Sequence, residues 1–426
     1  MSFLVQLRSG FNRSFWVANA LELFERFAYY GSKAVLAVYI AEQVGLGSQT
    51  AGIFAGSVFN TLLYLLPPLA GTIVDRYGFK RSLMACFAIF CIGYFLIGLA
   101  GLPLGQPIVQ AVGARNWTLL ALIITAVGGS LIKPSVVGTV ARTTTEQTRG
   151  LGYSIYYTLV NLGGAIGPII ALTVRENIGI SYVLVVSSLT TLALLIATAL
   201  FYREPEKPAD SPPTPSMARV LADMVQVFRN GRFMLFLIIF SGFWLMFWHI
   251  YLALPFYVKD YLHYGKFEII ETVDAWTLIL ATVPLTALAR RLKPLTAMVL
   301  GFAIATASWF VMGSVPTLWA AIGAMALFAM GEGLQAPRFY EYVARLAPPD
   351  QLGTYMGFAF LPVAIGTFLC GFSSGYLVKH FVEGGNPAAP KMWFVVGAYG
   401  LVATVLLLLY DRFIARQVAT RAETPL

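Results

Sequence analysis

Apolar segments of about 20 residues recur along this chain from residue 14 to residue 414, separated by short polar loops. A helix that long crosses the hydrocarbon core of a bilayer, and inside lipid only helices and closed barrels pair all their backbone polar groups. Barrel strands would alternate over about 10 residues instead. The pattern predicts an all-α integral membrane protein. The composition agrees, with 58% hydrophobic and only 12% charged residues, against about 25% charged in soluble domains. Twelve transmembrane helices are expected, at residues 14–43, 49–75, 79–102, 116–142, 149–174, 180–202, 233–259, 268–289, 294–313, 317–346, 352–380 and 391–414.

An even number of spans puts both termini on one side, and the basic residues choose which. Arg115, Arg175, Lys259, Lys266, Lys379 and Lys391 fall on one side, and Arg26, Lys33, Lys133 and Arg338 within spans. All other Lys and Arg fall with the N-terminus, including Arg142, Arg149, Arg290, Arg291, Lys293, Arg412, Arg416 and Arg421. Basic loops stay inside, so both termini should be cytoplasmic. The net charge of +9 is thus orientation and not a nucleic-acid footprint. Cys86, Cys91 and Cys370 all lie in apolar helices and imply no disulfide framework. No short apolar core with a small-residue cleavage site opens the chain, so the first helix is expected to be its own insertion signal.

The stretch Arg203–Ser216, rich in proline and charge, cannot make a packed helix. The segment 218–232 follows, with Val220, Met224, Val227 and Phe228 at helical spacing, and is expected to lie along the inner membrane surface. The expected organisation is a six-helix bundle over 1–202, a cytoplasmic linker with an amphipathic helix over 203–232, and a second six-helix bundle over 233–426.

Charges within the spans carry the functional reading. A charge at bilayer depth costs about 3 kcal/mol on insertion scales, so it is kept facing a wet or protein-lined interior. In the first helix, Glu22, Glu25, Arg26, Tyr29 and Lys33 fall within an arc of about 100°. Leu23, Phe27, Ala34 and Val35 take the opposite side. The fourth span adds Lys133 before Pro134, which favours a kink one turn back. Glu22 or Glu25 is the obvious counter-charge for Lys133. The fifth adds Tyr156, Tyr157, Asn161, Gly163 and Gly164, read on their own as helix packing more than ligand binding. Asp274, Glu332 and Glu341 are the acidic candidates of the second half, with Glu268 and Glu271 expected nearer the outer surface. His249 is the sole histidine in the interior of a span, with titration and a neutral hydrogen-bonded state equally open.

Between the second and third spans runs Gly71-Thr-Ile-Val-Asp75-Arg76-Tyr-Gly78-Phe-Lys80-Arg81. Its spacing resembles the signature loop of the major facilitator superfamily, which implies gating roles for Asp75, Arg76, Lys80 and Arg81. The run Glu22-x-x-Glu25-Arg26-Phe27-x-Tyr29-Tyr30-Gly31 resembles the hallmark of the proton-dependent oligopeptide transporters, a branch of that superfamily. Lys133-Pro134, Tyr157-x-x-x-Asn161-x-Gly163, Tyr64-Leu-Leu-Pro67, Phe243-Trp244, Gly331-Glu332 and Leu346-Ala347-Pro348 are similar to that family too. The sequence departs from it at Trp248, where members usually carry the acid that pairs with the basic residue at position 33. It departs again at Arg338, where a small residue is expected. Residues 203–232 are too few for the two extra helices of many bacterial members. The chain thus looks like a compact, divergent relative.

The resemblance implies proton-coupled import of di- or tripeptides, or a similar zwitterion, by alternating access. Glu22, Glu25, Arg26 and Lys133 would couple protons. Arg26, Tyr29, Tyr30, Lys33, Tyr64, Lys133, Asn161, Trp248 and Glu332 would bind substrate, its carboxylate toward Arg26 and Lys133 and its ammonium toward Glu332. Protons are the only coupling ion expected, with no cofactor or metal. The expected setting is a bacterial inner membrane, as a monomer, with small solutes and lipid as partners. A proton-linked exporter of drugs or metabolites is the alternative. No Cys-His, Ser-His-Asp, metal-ligand or nucleotide-loop pattern points to an enzyme.

Overall fold

The computed structural model describes residues 10–206, 217–348 and 351–415. Residues 207–216 of the expected linker, together with Arg416 and Arg421, lie outside the described residues. Every regular element among the described residues is helical. We number the longer helices α1 Arg13–Val38, α2 Pro67–Tyr77, α3 Phe79–Leu99, α4 Ala114–Gly129, α5 Ile132–Thr143, α6 Glu146–Ile178 and α7 Ile180–Phe201. They continue as α8 Met217–Phe228, α9 Gly231–Leu252, α10 Phe267–Arg290, α11 Pro294–Ser314, α12 Leu318–Leu346, α13 Leu361–Phe381 and α14 Lys391–Tyr410. Ten helical stretches among the described residues are long and apolar enough to cross a membrane. The chain is a multi-pass helical membrane protein. The charged α1 is outside those ten because its own ionisable residues lower its hydropathy.

Contacts divide the chain into two compact units, Met1–Val220 and Leu221–Leu426. In the first, α1 is central: it packs on α6 and α7 and touches α5, while α7 packs on α3 and α3 on α4. In the second, α9 packs on α13 and α14, α11 on α12 and α14, and α10 on α12. Rings fill this second interior: Phe240 stacks on Phe339 at 4.1 Å and Trp309 on Trp393 at 4.9 Å.

Two expected spans of the first unit are broken. Residues 49–75 were expected as one helix, but Gly47–Leu65 and Pro67–Tyr77 meet at 42°. Pro67 and Pro68 offer no N–H, and their rings obstruct the preceding turn. The expected helix 116–142 divides at Ser130 and Leu131 into α4 and α5. Ser130 is four residues before Pro134, so its carbonyl is the one a proline frees.

The faces of α1 also differ from the two-sided expectation. Ala34 and Val35 are fully buried, although they lie opposite the charges. A helix surrounded by α5, α6 and α7 leaves little surface for lipid, and Phe24 at 51% exposure marks the part that remains.

Candidate functional site

The ionisable stripe of α1 is buried along its whole length: Glu22 0%, Glu25 1%, Arg26 5%, Tyr29 2% and Lys33 6% exposed. Arg26 is the hub. Its Nε and Nη2 each lie 2.5 Å from Glu25 Oε2, and Nε lies 3.4 Å from Glu22 Oε1. Its guanidinium stands 4.8 Å from the ring centre of Tyr29 and 6.0 Å from that of Tyr30. A planar guanidinium suits this double task of pairing carboxylates edge-on and stacking on rings. The Tyr156 hydroxyl of α6 donates to Glu22 Oε1 at 3.3 Å. Glu22 Oε2 and Glu25 Oε1 are buried with no hydrogen-bond partner among the described residues. One arginine facing two carboxylates leaves acceptors over, and each remaining oxygen is a place for a proton.

Lys133 comes from the first turn of α5, two residues past the α4–α5 break. Its ammonium lies 5.1 Å from the ring centre of Tyr64. Arg26, Tyr29, Tyr64, Pro67 and Lys133 line one narrow cavity inside the first unit, with room for about one water molecule (about 10 Å³). Lys33 sits 5.2 Å from the ring of Tyr30 and 5.8 Å from that of Tyr29. It lines a neighbouring cavity with Tyr94 and Ser32. The structure therefore gathers Glu22, Glu25, Arg26, Tyr29, Tyr30, Lys33, Tyr64 and Lys133 in one unit.

Close approach of α6 makes the cluster possible. A Cβ on Gly163 would collide with the Cβ of Arg26. A Cβ on Gly167 would lie 2.9 Å from the Phe27 carbonyl oxygen. Gly163→Ala should thus push α6 off α1, cost about 1–3 kcal/mol and depress uptake. Gly150, on the same helix, has nothing within 4 Å of an added Cβ, so Gly150→Ala should leave both unchanged. Thermal melts in detergent and an uptake assay on the two variants check the pair.

Other expected residues sit differently. The Asn161 amide donates to its own helix at Tyr157 O, 3.0 Å away. In the second unit, Trp248 is fully buried beside the rings of Phe247 and Tyr251, at 5.6 and 6.0 Å. Glu332 is half-buried on α12. Arg338 is held by backbone carbonyls and a carboxylate. Its Nε donates to Ala289 O at 2.9 Å and its Nη2 to Leu292 O at 2.8 Å, and it pairs with Glu341. It caps the carbonyls that end α10. Glu268 and Glu271, in the first turns of α10, are 0% and 2% exposed, and Asp274 6%. Spaced three apart, they share one face of α10. His249 has partners for both ring nitrogens: Nδ1 lies 2.7 Å from Leu245 O and Nε2 3.2 Å from Ser373 Oγ. A carbonyl at that distance requires the proton on Nδ1.

At the loop after α2, Gly78 takes φ +86°, which explains the glycine. Arg142 Nη2 lies 4.0 Å from Asp75 Oδ1 and its guanidinium 4.3 Å from the Phe79 ring. Arg76 lies against Tyr77 at 5.7 Å, Lys80 Nζ donates to Ala199 O at 2.9 Å, and Arg81 is exposed. Glu204, read from sequence only as linker, caps α3. Its carboxylate accepts from the backbone N–H groups of Phe79 at 2.8 Å and Lys80 at 2.7 Å. Glu204→Ala should remove this cap at a cost of about 1 kcal/mol, seen as a lower thermal midpoint in detergent.

The sequence pattern of the Major Facilitator Superfamily matches residues 20–369. The chain belongs to the Major Facilitator Superfamily. It is accordingly a membrane transporter and not an enzyme. The multidrug resistance protein MdtH of Photorhabdus laumondii is 24% identical over 90% of this chain and 90% of its own length. Dipeptide and tripeptide permease B of Aliivibrio fischeri is 29% identical over 42% of this chain and 34% of its own length. The chain thus matches about a third of the length of that permease. Among solved structures, a POT family transporter in complex with 5-aminolevulinic acid superposes with a TM-score of 0.78. That match has 18% identity and covers 93% of this chain and 96% of the other. It establishes the same fold.

Proposed function

We propose that this transporter is a proton-coupled importer of short peptides or similar carboxylate-bearing zwitterions. The observation that carries the reading is the buried cluster of α1, in which Arg26 holds Glu25 and Glu22 beside a cavity lined by Lys133. With both acids ionised, Arg26 is engaged. A proton on Glu25 removes one of the two charges opposite Arg26 and releases its Nη2 for a substrate carboxylate. Release of that carboxylate lets the ion pair re-form and expels the proton. The two units would alternate access, as in other transporters built from repeated bundles.

We further propose twelve spans with both termini cytoplasmic. Charged α1 and the bent pair Gly47–Leu65 and Pro67–Tyr77 would join the ten apolar stretches. The basic loops support that orientation. The expected setting is a bacterial inner membrane and a monomer, with Arg203–Arg232 linking the two six-helix bundles. The likeness to peptide permeases and to POT transporter structures supports the substrate class.

The deciding experiment is transport in proteoliposomes under an imposed inward proton gradient. Accumulation of a di- or tripeptide with matching proton flux is expected. A proton-linked exporter is the second reading, favoured by the near full-length match to MdtH. Failure of a peptide panel, together with gradient-driven extrusion of a lipophilic cation, would replace the first reading by the second.

A further inference from the structure

We propose that the end of the second unit where α8 runs into α9 is a binding surface for anionic phospholipid. Leu221, Val225 and Phe228 follow at helical spacing and are 46%, 58% and 52% exposed. The helix is nevertheless anchored. Val227 is fully buried, Phe228 meets the Phe358 ring edge-on at 5.2 Å, and Asn230 Nδ2 donates to the Tyr355 hydroxyl at 2.9 Å. An anchored helix with an uncovered apolar stripe is the form of a helix lying in the membrane interface. Only Arg229 and Asn230 separate it from α9, which spans the membrane.

Tertiary structure adds the charge. The Tyr410 hydroxyl lies 3.4 Å from the Arg232 carbonyl oxygen, so the end of α14 and the start of α9 meet at one membrane face. Arg412 follows two residues later, exposed, next to Phe413 at 55% exposure. Arg229 and Arg232 are exposed as well. The acids of the same stretches, Asp223 and Asp411, are half-buried. Arginines at headgroup level over apolar side chains match a phosphodiester with its acyl chains below. A guanidinium takes two phosphate oxygens at once. A headgroup with net negative charge is favoured over a zwitterionic one, by about fivefold for each basic residue at the surface.

The test uses the full-length protein in detergent, offered phosphatidylglycerol and phosphatidylcholine in equal amounts. Native mass spectrometry reads which lipids stay bound. The wild type should retain phosphatidylglycerol preferentially. The triple variant Arg229→Gln, Arg232→Gln, Arg412→Gln should lose at least tenfold of that preference, with an unchanged thermal melt. If the triple variant does not fold, the single variant Arg229→Gln should still lose about fivefold. Equal retention of both lipids by the wild type, or an undiminished preference in a folded variant, overturns the proposal.

Discussion

Glu25→Gln is expected to abolish proton-driven accumulation while counterflow exchange stays measurable. Glutamine keeps the shape of the side chain, and its carbonyl can still accept from Arg26. It removes the charge that Arg26 meets at 2.5 Å. Breaking a buried pair from one side costs about 3 kcal/mol or more, about a hundredfold in any equilibrium that depends on it. Glu22 then remains as the acid facing Arg26, at 3.4 Å. The variant therefore sits permanently in the state that protonation normally reaches. Substrate can still exchange for substrate, because Arg26 Nη2, released from the Glu25 charge, can bind a carboxylate. Net uphill transport stops, because no proton leaves with the turnover. Uptake and counterflow, measured side by side in proteoliposomes, separate the two. Full proton-driven accumulation by this variant would remove Glu25 from the coupling role.

Lys133→Ala carries the second large effect. A lysine within a membrane span is held at a cost of about 3 kcal/mol on insertion scales, so its place needs a use. Its ammonium lies over Tyr64 in the cavity that Arg26 also lines. Removing it takes away one of the two cations proposed to receive the substrate carboxylate. Accumulation should fall by about tenfold or more, the loss of one charge-assisted contact of about 1.5–3 kcal/mol. The thermal melt should hold, since alanine suits a helix interior. An unchanged accumulation rate would make Lys133 a structural residue of the α4–α5 break.

Much of this was legible beforehand because of lipid. Each span must satisfy its own backbone, so the run of apolar residues alone dictated helices and their approximate ends. The α1 charges were legible for the same reason, since an apolar solvent makes three charges in ten residues conspicuous. The stripe at 3.6-residue spacing had to turn inward, and Glu22, Glu25, Arg26 and Lys33 are all buried.

What escaped the sequence depends on contacts between distant segments. Glu204 carries no motif, and its capping of α3 needs the chain end after α7 to return beside Gly78. Tyr156 stood in a recognisable run, yet its bond to Glu22 needs α6 pressed against α1. Arg338 looked like a cavity charge because its carbonyl partners on α10 are some 50 residues away in sequence. Glu268 and Glu271 lie in the first turns of α10, and their burial there depends on the packing of neighbouring helices, which hydropathy does not report.

The sequence by itself determined that this chain crosses the membrane many times, and that its first helix carries an inward charge stripe of transporter type. The reason is that water and hydrocarbon sort residues one segment at a time. Only the tertiary structure decided which groups share the stripe's interior. Glycine-mediated contact of α6 with α1, and the proline breaks of the second and fourth spans, bring Tyr156, Tyr64 and Lys133 to Arg26. Pairing geometry of that kind is set by helices meeting in space, which no single segment encodes.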